Sequence, residues 1–100
     1  MAGKLILSWD IARDHEREYF EFVVREFIPG VQRLGLELTD AWATAYGNQP
    51  QIMVGAVGNS IEDVRSVLDS NDWLTLSDRL QAYVRNYKEK VVHSTGGFQF

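Results

Sequence analysis

Two strand patterns joined by a four-residue turn, with helix patterns on both sides of them, constrain this chain more than any other feature of its sequence. Leu36 to Tyr46 alternates: Leu36, Leu38, Trp42 and Tyr46 share one parity, while Glu37, Thr39, Ala41, Ala43 and Ala45 share the other. Gly47-Asn48-Gln49-Pro50 supplies a turn and Ile52 to Val57 is a second apolar run, so the two segments form an antiparallel hairpin. Upstream, Tyr19, Phe20, Val23, Val24, Phe27 and Ile28 recur at helical spacing after Asp14, an N-cap with Glu16 and Glu18 in the first turn. Pro29-Gly30 ends or kinks that helix, and Gly35 is placed to terminate its last turn. Downstream, Ser60 caps a helix whose buried stripe is Ile61, Val64, Val67 and Leu68. Ser70-Asn71-Asp72 interrupts it, after which Trp73, Leu76, Leu80, Tyr83, Val84 and Tyr87 again follow helical spacing. Lys4 to Trp9 and Lys88 to Ser94 read as the outer two strands, and Gly96-Gly97 bends the chain toward Phe98 and Phe100.

The order strand, helix, strand, strand, helix, strand defines an α+β, ferredoxin-like βαββαβ fold: one four-stranded antiparallel sheet with its helices on one face. At 100 residues the chain reads as one domain, 1–100. The opposite sheet face is left uncovered. Both parities of Leu5/Leu7 and Ile6, and of Ile52/Val54 and Met53/Val57, are apolar, which marks a sheet buried on both sides. The expected partner is a second copy in a two-fold homodimer. Acidic residues outnumber basic ones 14 to 10 without a charge run, which excludes nucleic acid and anionic membrane as main partners. No cysteine is present to form a disulfide or a thiolate nucleophile. The apolar run Leu5-Ile6-Leu7 is too short for a membrane span, so a cytoplasmic protein is expected.

Three stretches carry a family resemblance: Phe27-Ile28-Pro29-Gly30, the strand Ala41 to Gly47, and Ser60-Ile61-Glu62-Asp63 leading to Asp72-Trp73. Together they make the chain resemble NIPSNAP-like and stress-responsive members of the dimeric α+β barrel superfamily, over nearly its whole length. The resemblance implies two sheets packed face to face in a dimer, with ligands lying between the sheet and helices of each subunit. It implies no single activity, since the superfamily includes haem-degrading and cofactor-free monooxygenases, cyclases, isomerases and proteins of unknown role. Haem-degrading members place an Asn on the first strand and a Trp and a His in the second helical region. Here those places offer Ser8, Trp73 and then Tyr83 or Tyr87, so the usual axial histidine is missing and no cofactor is expected.

His93 is the candidate general base, provided it points between sheet and helices, because imidazole titrates near neutral pH. Tyr46 and Tyr83 are candidate proton donors. Trp9, Trp42 and Trp73 would wall a site for a flat apolar ligand, with Ser8 and Asp10 as polar handles. His15 with Glu18 and Glu21 reads as a solvated helix start, since no second helical His-bearing motif completes a metal site. Gly55-Ala56-Val57-Gly58 lacks the spacing and the Lys of a phosphate-binding loop. The leading expectation is a homodimeric binder of a small apolar or aromatic metabolite. A cofactor-free monooxygenase, cyclase or isomerase using a histidine base is the alternative, and an assembly module without a pocket is a third.

Overall fold

A computed structural model of the chain describes residues 2–44 and 51–93. Four strands, β1 (Gly3–Ile11), β2 (Glu37–Ala43), β3 (Ile52–Gly58) and β4 (Val84–His93), form one sheet in the order β2-β3-β1-β4. Every pairing is antiparallel. The helices are α1 (Glu16–Phe22), α2 (Ile28–Arg33), α3 (Ile61–Leu68) and α4 (Asn71–Gln81). This is the ferredoxin-like α+β arrangement, its two central strands β3 and β1 flanked by β2 and β4 at the edges.

Side-chain alternation sorts β1 into two faces. Leu5, Leu7 and Trp9 join Tyr19, Phe22, Phe27, Val64, Trp73 and Leu80 in the buried cluster under the helices. Lys4, Ile6 and Ser8 point to the other face, opposite Val57, Gly55 and Met53 of β3. Burying the helix-side cluster supplies the main stabilisation, at about 25 cal/mol for each Å² of apolar surface withdrawn from water.

The first helix does not stop at Pro29. α1 and α2 are joined by a π-helical segment, Val23–Phe27, in which the Ile28 N–H donates to the Val23 carbonyl. Pro29 then sits in the first turn of α2. A proline there lacks the amide for the carbonyl four residues back, and the wider π turn before it accommodates the ring. The same wide turn resets the buried face. Phe22 and Phe27, five residues apart, are both buried, whereas Phe20 and Val24, expected in the stripe, are 54% and 65% exposed. The last turn closes as a Schellman motif: Gly35, at φ 93°, donates to the Gln32 carbonyl and Leu36 to that of Val31.

Two further expectations are corrected. His15, not Asp14, occupies the N-cap of α1, and Asp14 lies in a turn at φ 67°. The fourth strand begins at Val84 rather than Lys88, because Ala82 and Tyr83 donate back to Arg79 and Leu80 and close α4. Leu80, Tyr83, Val84 and Tyr87 satisfy helical spacing by coincidence, two of them lying in a strand. A β-bulge opposite Trp9, with Asn86 at φ 56°, shifts the β1–β4 register there. Gly47 to Pro50, Gly96-Gly97 and the phenylalanines after them lie outside the described residues.

Candidate functional site

Between β2, β3 and β1 on one side and α1 with its π-helical continuation on the other lies an apolar cleft of about 380 Å³. That volume is within the ordinary range for small-molecule sites. The strands contribute Trp9, Ile52, Val54, Leu38 and Ala41, and the helix contributes Tyr19, Val23, Phe27 and Ile28. Each follows from local structure. Trp9 shares parity with Leu5 and Leu7, and Ile52 and Val54 pair with Trp9 and Leu7 across the β1–β3 ladder. Val23 and Phe27 are the ends of the π segment, so its wide turn forms part of the wall. On β2, a register shift between Leu38 and Asp40 interrupts the alternation and brings Thr39 to the cleft margin.

Trp9 is the centre of the wall. Its ring meets Phe27 edge-on at 6.0 Å and stacks with Tyr87 at 6.3 Å. Its indole N–H donates to the Tyr19 hydroxyl at 2.9 Å. Burial raises the Tyr19 phenol above its ordinary pKa, against a smaller lowering by the Trp9 bond. Tyr87 is raised by burial and by the adjacent Glu89 carboxylate, to which it donates at 2.8 Å. Thr39 donates to Asp40 at 3.0 Å. Asp40 also pairs with the buried Lys4 ammonium, which holds its carboxyl below the usual range. Gly55 leaves room for that pair: a Cβ there would stand 2.8 Å from both Lys4 Cε and Asp40 Oδ2, and the ends of those two side chains would have to shift.

Of the residues singled out from the sequence, Trp9 lines this cleft. Ser8 lies on the opposite sheet face, in a groove of about 620 Å³ with Ile6, Met53, Lys88 and Lys90. Trp42, 38% exposed, pairs with Met53 on that same face. Trp73 is core, capped through Ser70 and packed 6.2 Å from Phe27. Tyr83 ends the α4–β4 turn against Phe22. His93 is exposed at the far end of β4, opposite Gly3 and beside Ser60, Glu62 and Arg65, so it does not enter the cleft. Asp10 is no ligand handle either: one oxygen accepts from the Gln51 N–H and the other from the Asn86 amide, each at 2.9 Å. Those two bonds, Asn86 foremost, lower its pKa. Tyr46 lies outside the described residues. No cluster of metal-ligating side chains occurs among the described residues, and His15 is exposed. No helix among them is long and apolar enough to cross a membrane.

Sequence reasoning missed Tyr19 as the partner of Trp9. The signal was present as parity: Trp9 belongs to the Leu5/Leu7 face, and the helix leaving β1 must lay its first buried aromatic over that face.

No protein-family model matches the chain, and no curated protein sequence matches it. Solved structures do. A NIPSNAP family protein from Agrobacterium tumefaciens superposes with a TM-score of 0.69 at 18% identity, covering 94% of this chain and 86% of that one. An ethd family protein from Bacillus halodurans gives 0.74 at 11% identity over 95% and 100% of the two chains. A cofactor-independent oxygenase from Streptomyces nogalater gives 0.66 at 10% identity over 96% and 95%. The chain therefore has the fold of these ferredoxin-like α+β barrel proteins, and NIPSNAP proteins are among its structural neighbours, in line with the resemblance read from its sequence. At such identities the likeness carries the fold and no activity.

Proposed function

We propose that this protein binds a small apolar or aromatic molecule in the cleft between sheet and helix, and that it does so as a homodimer joined through the open sheet face. The observation that carries the binding reading is the cleft itself, about 380 Å³ walled by Trp9, Tyr19, Phe27, Ile52 and Val54. A close-packed interface would leave no such space, which weighs against a pocketless assembly module. The dimer reading rests on the sheet face turned away from the helices, where Trp42 is exposed and Met53 and Val57 are half-buried around the buried Ile6.

Catalysis by a cofactor-free monooxygenase, cyclase or isomerase is the second reading, and it draws on the fold likeness to the oxygenase. It requires a base at the cleft. Among the described lining residues Asp40 is the one carboxylate, its oxygen bonded to Lys4, and His93 stands at the other end of the sheet. Binding is therefore favoured over turnover.

Equilibrium dialysis against naphthalene tests the binding reading. The wild-type protein is expected to take up the probe, and Val54→Trp, which fills the cleft, to lose at least tenfold in affinity while keeping its circular dichroism spectrum. No uptake by the wild type, or uptake unchanged by the filling variant, would overturn it.

A further inference from the structure

Resting on the cleft as the binding site, we infer that its ligand is a neutral apolar molecule carrying an oxygen acceptor, such as a ketone, quinone or ester carbonyl, held by the hydroxyl of Tyr19. Tyr19 is 2% exposed, and its oxygen accepts from the Trp9 indole at 2.9 Å. A phenol has one proton to give, and that of Tyr19 meets no acceptor among the described residues. A buried donor left unspent carries a desolvation cost that a ligand acceptor would remove.

The other side-chain donors of the wall are committed: the Trp9 N–H to Tyr19, and the Thr39 hydroxyl to Asp40. Tyr19 is thus the remaining side-chain donor among the described lining residues. Burial keeps its phenol protonated at neutral pH, so it donates. The described lining includes no cationic side chain. An anionic ligand would lose its hydration without compensation, which favours a neutral acceptor.

Methyl naphthyl ketone and ethylnaphthalene have nearly the same shape and differ in a carbonyl against a methylene. Wild-type protein is expected to bind the ketone about tenfold more tightly, the worth of one net hydrogen bond in a dry site. In Tyr19→Phe the preference should be lost or reversed through weaker ketone binding, because the buried carbonyl then goes unpaired, with ethylnaphthalene binding staying within about twofold. Because the wild-type comparison stands without the variant, a Tyr19→Phe protein that fails to fold does not remove the test. Equal wild-type affinity for both compounds would overturn the Tyr19 assignment and leave the cleft reading intact. Absence of binding by either compound would overturn the cleft reading and this inference with it.

Discussion

Gly3 begins β1 opposite His93, and a Cβ added there would lie 2.8 Å from the Ile61 N and Cα and the Ser60 carbonyl. All three are backbone atoms with no flexible tip to move aside. At Gly55 the obstacles are the ends of two side chains, Lys4 Cε and Asp40 Oδ2. Gly3→Ala is therefore expected to cost about 1–3 kcal/mol and Gly55→Ala less. In a chain this size each kcal/mol moves the thermal midpoint by about 4–8 °C, so two melting curves decide the order. Asp10 supplies a pH test. Its folded pKa is depressed by Asn86 and the Gln51 amide, so its contribution is present above the unfolded value of about 3.9 and is lost as pH falls through the folded one. The midpoint difference between wild type and Asp10→Asn should hold above about pH 5 and shrink below about pH 4. A difference that grows on acidification would refute the assignment. Neither role was legible beforehand: Asp10 reads as the end of a strand, and its partners lie 41 and 76 residues away.

Caps and turns decide where the elements begin and end. Ser60 accepts from the Asp63 N–H at 3.0 Å, as its position before an apolar stripe announced. Ser70 accepts from the Trp73 N–H and donates to the Val67 carbonyl at 2.6 Å, tying the end of α3 to the start of α4. Alanine at either position is expected to cost about 0.5–2 kcal/mol in urea unfolding, with Ser70→Ala the larger because two bonds go. A smaller loss at Ser70 would mean that the two helices are not coupled through it. The Ser60 cap and the Gly35 terminus were readable because they depend on neighbours within five residues, whereas local pattern puts the α1 cap one residue early, at Asp14, and shows Ser70 only as an interruption. The π segment and the early start of β4 were not, since helical spacing fits Tyr83, Val84 and Tyr87 equally well. Only pairing with Ile11 and Asp10 across the sheet makes Val84 and Arg85 a strand.

The described fold places two unlike surfaces back to back on a slab about 18 Å thick. The cleft belongs to the helix side, with Asp40 reaching its margin, and the Ser8 groove to the other, so cleft and groove can be perturbed separately. His93→Ala, at the far end of β4, is expected to leave naphthalene affinity within about twofold of wild type. A tenfold loss would return the histidine to the ligand site. Met53→Asp buries an unpaired charge if the open faces meet, and sedimentation should then shift from twice 11.4 kDa to the monomer mass with cleft binding retained. A wild-type monomer would refute the dimer.

What the sequence determined by itself was whatever short-range periodicity encodes: the βαββαβ order, the apolar face of each strand and the Ser60 cap. The tertiary structure alone decided which aromatic residues meet. Three tryptophans of equal promise went to three places, Trp9 to the cleft, Trp73 to the core and Trp42 to the open face. The division follows from strand parity and register, which set a side chain's face, together with the π turn that rotates Phe27 and Val23 toward Trp9. Register is a property of paired strands, so no single segment carries it.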